Sequence, residues 1–480
     1  MSHQAKTNDS ASTQRFILIN RQYLHDPQRL IRVFIVSGVL LLSFAIGLFF
    51  PSNYLILPIL LVAAFGAFII NVRYPPVGLM ALIAGGLLVD FEIGTSTNTS
   101  INLVVILLPM FIGIWFIDML VRKRRVHFVS SRTNPPLVAL VIVSILAFGI
   151  GQLTWFFYAR QAPILSQLGG LAIFLLSVGA FIFSANVIKN IKWLKRLTWL
   201  FIIVGTIIVL SRLIPILGRS INHLLPSGAK GSLFWLWMFA IAFSQLLINR
   251  DLHVVWRILL LGLIVLLLYE ALILGYSWKS GWIPAIVAVG VITWLQFRRL
   301  RVLLTLGGFL VVWLIVSNAI QSDQYSYITR LEAWKIILNE IIKVNPIFGL
   351  GPANYRFYTP LFPIMGYWVE FNSHNTYIDI LAQIGVLGFI AFLWFAWEVW
   401  RLGWGLLKTV TDSFSNAYVN GALGGLIGML VAGMLGDWII PFVYNVGLKG
   451  FRASVLGWIF LGGLVVIESV TAAERMKAEI

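Results

Sequence analysis

The chain has no cysteine. Disulfides, thiolate metal sites and cysteine nucleophiles are therefore closed to it. Charge is scarce as well: 11% of its 480 residues are Asp, Glu, Lys or Arg, where a soluble domain carries about 25%. Acids are the rarer sign, 18 against 35 Lys and Arg, leaving a net +17. No GxxxxGKS/T, no HExxH, no fixed-period repeat and no soluble nucleotide-binding domain is visible, so P-loop and zincin chemistry are excluded. What is abundant is hydrophobicity, at 59% of residues and a mean hydropathy of +0.91. Apolar runs of about 18–22 residues recur along the sequence, which describes an all-α polytopic membrane protein.

The runs fall at roughly 32–50, 54–72, 76–90, 101–121, 136–157, 168–188, 195–213, 232–249, 256–275, 281–297, 301–320, 377–400, 417–440 and 451–468. That is about 12–14 transmembrane helices, the fourteen spans placing both termini on one side. The basic surplus tests the orientation. In a soluble protein it would suggest nucleic acid; here the Arg122-Lys123-Arg124-Arg125 run, Lys189/Lys192/Lys195/Arg196 and Arg298/Arg299/Arg301 fall on alternate loops. Cytoplasmic loops collect such residues against anionic lipid, so the excess is topological and no nucleic-acid partner is expected. The expected organisation is a cytoplasmic tail (1–30), spans 1–11 (31–320), an extracytoplasmic loop (321–376), spans 12–14 (377–468) and a cytoplasmic tail (469–480). Gly421, Gly424, Gly425, Gly428 and Gly433 at near-helical spacing read as close helix packing. Asn98-Thr99-Ser100 matches a glycosylation acceptor only as a chance motif.

The long loop differs in composition from everything around it. Residues 328–344 read as an amphipathic helix, with Leu331, Trp334, Ile337/Leu338 and Ile341/Ile342 at three- and four-residue steps. Asn345-Pro346 ends it, Gly349-Leu350-Gly351-Pro352 makes a tight turn, and an aromatic loop leads to Ser373-His374-Asn375. Aromatic and branched residues argue against disorder, so the loop is expected to be a folded cap. His374 is either a surface imidazole or a general base for a hydroxyl. Arg330 is either an interfacial cation or a phosphate clamp. Arg212, Arg219 and Lys230, with Lys279 and Arg356, are further outward cations. Glu270 is a candidate partner for Lys279. Cations and one histidine above a membrane suit an anionic, lipid-borne donor such as a polyprenyl diphosphate sugar.

Four pieces then stand in order: Arg330-Leu331-Glu332-Ala333-Trp334, Asn345-Pro346-Ile347-Phe348-Gly349-Leu350-Gly351, His374-Asn375-Thr376-Tyr377 and Gln383-Ile384-Gly385-Val386-Leu387-Gly388. This resembles the O-antigen ligase and O-antigen polymerase superfamily. The resemblance implies a GT-C type membrane glycosyltransferase that is inverting and needs no metal or cofactor. It would move a glycan from undecaprenyl diphosphate to a lipid or glycan hydroxyl acceptor on the outer face of the cytoplasmic membrane. In that likeness His374 is the base and Arg330 a diphosphate contact. Lys279, Arg212, Arg356, Asn375 and Tyr377 are candidate substrate-binding residues. Ser277-Trp278-Lys279-Ser280-Gly281 stands where the family shows Ser-Arg-Gly, and lysine lacks the bidentate fork of arginine. Ligase and polymerase share this donor chemistry. A transporter of the same superfamily and a structural scaffold are the competing readings. Acids near span ends (Asp90, Asp118, Glu270, Glu398, Asp437) rather than at midplane argue against transport.

Overall fold

The computed structural model describes residues 73–95, 100–122, 124–221, 225–226, 228–322 and 324–478. The expected tail 1–30, the spans 32–50 and 54–72 and the Asn98-Thr99 acceptor lie outside the described residues. The unit Pro75–Ile480 contains all that follows. In order it holds α1 (Pro75–Leu88), the antiparallel pair β1 (Glu92–Gly94) and β2 (Ser100–Asn102), α2 (Leu103–Ile117), α3 (Asn134–Ile150), α4 (Ile164–Val187) and α5 (Ile191–Leu213). The short α6 (Pro215–Ile221), α7 (Ser232–Ile248), α8 (Val254–Tyr269), α9 (Lys279–Gln296) and α10 (Arg301–Ser322) follow. The cap holds α11 (Gln324–Ile336) and α12 (Tyr355–Tyr358); α13 (Thr376–Leu406), α14 (Ser413–Leu435) and α15 (Gly447–Ala478) complete the chain.

Among the described residues seven helices are long and apolar enough to cross a membrane, or up to eight if one bent pair counts as a span. Shorter apolar helices are α1, α3 and α7. Side-chain caps start several of them: Asn102, Asn190, Asn375 and Asp412 accept from backbone N–H groups one to two residues into α2, α5, α13 and α14.

Some boundaries differ from the hydrophobic runs. The run 136–157 yields a helix ending at Ile150, because Trp155 and Phe156 pack into the cap's own apolar cluster. The run 417–440 ends at Leu435; Ile439 and Ile440 lie beyond the helix and are buried in the main core instead. The runs 281–297 and 301–320 meet at a 115° bend across Arg298–Leu300.

The glycines of α14 let neighbours approach closely. A Cβ on Gly424 or Gly428 would meet the α9 backbone at Ala288 O or Pro284 O, 2.8 and 2.6 Å away. Alternating helix ends form two faces. On one, the loops after α2, α4, α7, α9 and α13 carry Arg122, Lys189, Arg250, Arg298 and Lys408. On the other, the β-hairpin, the α3–α4 and α14–α15 loops and the cap touch one another: Asn354 Nδ2 donates to Gly151 O at 3.0 Å, Arg356 Nη1 to Tyr444 O at 3.0 Å, and Asn102 to Leu448 O.

The cap is locked to α13 at a break. Gly385 has φ +69° and ψ −171° inside α13, which frees backbone groups that a helix would pair. The 346–351 segment takes them up: Leu350 N donates to Ala382 O (2.9 Å), Gly351 N to Gln383 O (3.0 Å), Val386 N to Pro346 O (2.8 Å) and Leu387 N to Ile347 O (3.2 Å). Two of the sequence motifs are thus the two halves of one joint. Buried polar backbone stays satisfied, and the cap is fixed relative to the helix that begins beside His374.

Candidate active site

The cap helix begins earlier than the periodicity indicates, at Gln324, and loosens into a π turn at Ile337–Ile341. Its buried face (Ile337, Ile341, Ile342) packs with Leu350, Tyr355, Tyr358, Ile378 and Phe442. Trp334 Nε1 donates to Ser373 O at 2.7 Å. This bond places Arg330, one turn earlier, beside the His374 segment. From below, Ser373 Oγ and Tyr355 OH donate to Asp379 Oδ1 at 2.7 and 2.6 Å, and Ser373 N donates to Tyr355 OH at 3.2 Å. Burial, then the Asp379 charge, pushes the Tyr355 phenol well above its usual range, so it remains a donor. Held from both sides, His374 takes φ +51°, a left-handed conformation that a non-glycine residue adopts only when its surroundings impose it.

A cavity of about 250 Å³ opens here, lined by Thr329, Arg330, Ala333, Arg356, Glu370 and His374 among others. It brings together three residues separated by up to 44 positions: Arg330, Arg356 and His374. Burial, then the Arg330 and Arg356 charges, lowers the His374 pKa from its ordinary 6.5. The imidazole is therefore neutral at neutral pH, the state a base requires. Arg356 is anchored to Glu370 Oε2 (3.0 Å), Asn372 Oδ1 (3.2 Å) and Tyr444 O (3.0 Å). Arg160 also reaches Glu370, at 3.6 Å. Arg330 has no hydrogen-bond or ion-pair partner among the described residues. His374 Nδ1 lies 2.9 Å from Asn445 Nδ2, which lies 2.5 Å from Asp437 Oδ1.

The other candidates sit elsewhere. Asn375 caps α13, its Oδ1 accepting from Tyr377 N (3.0 Å) and Ile378 N (3.4 Å). Tyr377 OH donates to Leu430 O at 2.6 Å, tying α13 to α14. Neither lines the cavity. Arg212 and Lys279 do not line it either. Arg212 Nε donates to the buried Glu270 at 2.6 Å and its guanidinium lies 5.6 Å from the Trp235 ring. Glu270, read from sequence as a partner for Lys279, is thus held by Arg212. Lys230 belongs to the same cluster, its pKa lowered by burial and then by the Arg212 charge. Trp278, beside Lys279, meets Trp438, beside Asp437, edge-on with ring centroids 5.9 Å apart.

Glu370, Asn372, Asp437 and Asn445 were not legible as site residues. Asp437 carried one weak signal, an acid at the mouth of an apolar run; Asn445 carried none.

A bundle of apolar helices defines a polytopic membrane protein, and its basic, histidine-bearing cavity lies among the loops. Residues 263–393 match the family model described as O-Antigen ligase. The matched stretch holds Arg330, Arg356, His374 and both halves of the Gly385 joint, so the likeness to the O-antigen ligase family falls on the part of the chain that builds this cavity. No curated protein matches the chain.

Proposed function

We propose that the chain is a glycosyltransferase that moves a glycan from an undecaprenyl-diphosphate-linked donor to a hydroxyl acceptor, as an O-antigen ligase does. The observation that carries this is the cavity in which a neutral His374 faces Arg330, whose side chain has no partner among the described residues. His374 takes the proton of the acceptor hydroxyl. The acceptor oxygen then attacks the anomeric carbon from the side opposite the diphosphate. The bond from that carbon to the diphosphate oxygen breaks, its electron pair leaves with the diphosphate, and the configuration inverts. Negative charge grows on the leaving oxygen, where the Arg330 guanidinium meets it with paired N–H donors and no metal is needed. Arg356, fixed by Glu370, adds positive potential to the same wall. Arg212 and Lys230, gathered around Glu270, form a second basic cluster suited to another part of an anionic donor. The protein sits in the cytoplasmic membrane with the face carrying Arg122, Lys189 and Arg298 in the cytoplasm and the cap on the extracytoplasmic side, a placement that the basic bias supports.

Envelope glycan profiles from cells carrying wild type, His374→Ala and Arg330→Ala at matched membrane abundance test this reading. Both variants are expected to lose transferred glycan and to accumulate lipid-linked precursor. Unmodified acceptor with long lipid-linked chains marks a ligase, and single repeats mark a polymerase. Unchanged glycan in both variants overturns the transferase and leaves transport as the alternative.

A further inference from the structure

The Asn445 side chain poses a chemical problem for the base assigned above. As placed, its Nδ2 faces both His374 Nδ1 (2.9 Å) and Asp437 Oδ1 (2.5 Å). An amide nitrogen is only a donor. In that arrangement Nδ1 accepts, the ring proton of a neutral imidazole sits on Nε2, and Nε2 has no lone pair with which to take a proton. A half-turn of the amide reverses this. Its oxygen then faces both neighbours, accepts from His374 Nδ1–H, and leaves Nε2 free as a base. The same oxygen can face Asp437 only if the carboxyl carries a proton to donate.

Two observations favour this second arrangement. The 2.5 Å separation at Asp437 is shorter than the 2.7–3.2 Å common for N–H···O but lies within the range of O–H···O. Asp437 is 1% exposed, and burial pushes its carboxyl above the usual range even though Phe442 N, Val446 N and Asn445 bond to it. A buried carboxylic acid that stays neutral in order to donate a hydrogen bond is an established device in active sites. The other groups facing His374 are Arg330 from α11 and Arg356 from α12, with Glu370 on Arg356; Asp379 of α13 lies beneath, under Ser373 and Tyr355.

We propose that Asn445 is a positioning residue that transmits the protonation of Asp437 to His374. With Asp437 protonated, the Asn445 oxygen accepts from Asp437 O–H and from His374 Nδ1–H, and Nε2 is the base. When Asp437 loses its proton the amide turns, Nδ1 becomes the acceptor and the ring proton moves to Nε2. During transfer the acceptor's proton adds to Nε2, while Nδ1–H and the Asp437 proton stay in place, so no further co-reactant is required. The Asn445 oxygen supports the imidazolium as an asparagine does in a Cys-His-Asn protease. This inference rests on His374 being the base.

The test needs no donor. Nitrogen-15 NMR of histidine-labelled full-length protein reads the tautomer directly, with His374→Gln identifying the His374 signals by their loss. Wild type is expected to hold the proton on Nδ1 at neutral pH and to move it to Nε2 as the pH rises. Asp437→Asn, whose amide N–H replaces the carboxyl proton, is expected to keep it on Nδ1 throughout. In cells, Asn445→Leu is expected to lose on the order of 10²-fold in glycan transfer, the scale of general-base catalysis, and Asp437→Asn to lose far less than Asp437→Ala. A proton on Nε2 at every pH overturns the proposal. So does Asp437→Asn failing as completely as Asp437→Ala while it folds. If His374→Ala itself retains transfer, it is the function reading that fails, and the NMR result still decides the tautomer.

Discussion

The joint between cap and α13 makes a quantitative demand on Gly385. Its φ of +69° and ψ of −171° lie in a region open almost only to glycine, where a side chain stores about 1–3 kcal/mol. Space is refused as well, since a Cβ would run into Ile347 O and come within 2.5 Å of Gly349 N. Relieving that contact means moving the 346–351 segment and giving up the four backbone bonds that join it to residues 382–387. At about 0.5–1.5 kcal/mol net for each bond, their loss adds roughly 2–6 kcal/mol. Gly385→Ala is therefore expected to destabilise the cap by at least about 3 kcal/mol, combining strain with partial loss of those bonds. Gly366→Ala is the control: φ is +82° there too, but nothing lies within 4 Å of the added Cβ, so strain acts alone. Thermal unfolding of both variants in detergent, with hydrogen exchange at the Leu350 and Gly351 amides, separates the contributions. If Gly385→Ala unfolds no earlier than Gly366→Ala, and those amides stay protected, the joint does not hold the cap.

Other outcomes follow from single contacts. Because His374 is held below its ordinary 6.5 by burial and by Arg330 and Arg356, the acid limb of transfer lies at that lowered value; Arg330→Gln, removing one cation, is expected to raise the His374 value in an NMR titration, a readout that does not depend on transfer. Asn375→Ala removes a helix cap and is expected to lower stability by about 1 kcal/mol while leaving KM for donor and acceptor unchanged; a raised KM would return Asn375 to the substrate contacts. Arg452, 1% exposed, donates to Gly86 O, Val89 O and Phe91 O, and Arg452→Leu is expected to cost roughly 3 kcal/mol in chemical unfolding by leaving those carbonyls unpaired.

The helical membrane fold was legible because the bilayer dictates a long apolar run for each crossing. Boundaries were less legible where apolar residues serve another purpose. Trp155 and Phe156 prolong the run of α3 yet pack in the cap, and Ile439 and Ile440 prolong that of α14 yet lie beyond the helix, buried in the main core. Hydropathy reads a side chain facing lipid and one buried in a loop alike. Arg330 and His374, which share the cavity, were picked out by local signals: one turn ahead of a tryptophan, and at the mouth of a span. Asn375 and Tyr377 carried the same signal, but their hydrogen bonds go to the backbone of α13 and α14. Asn445 meets His374 across 71 positions, a contact made by tertiary packing alone, and no local pattern announces it.

Arg330 and Arg356 line one cavity, but Glu370 divides their work. Glu370 binds Arg356 and Arg160, and Arg356 also holds Asn372 and Tyr444 O. A diphosphate drawing on Arg356 must compete with a carboxylate already in place; one drawing on Arg330 meets no such competitor among the described residues. The two arginines should therefore separate under substitution. Arg356→Ala removes a charged donor from Glu370, Asn372 and Tyr444 O, leaving Glu370 to Arg160 and Tyr444 O to Asn372, and is expected to lower cap stability by about 2–3 kcal/mol. Arg330→Ala breaks no side-chain bond among the described residues and is expected to leave stability within about 0.5 kcal/mol, while transfer is lost. Thermal unfolding and glycan transfer measured on the same two preparations decide it. Equal destabilisation by both variants would mean that Arg330 also supports the fold, and the case for it as the diphosphate contact would fail.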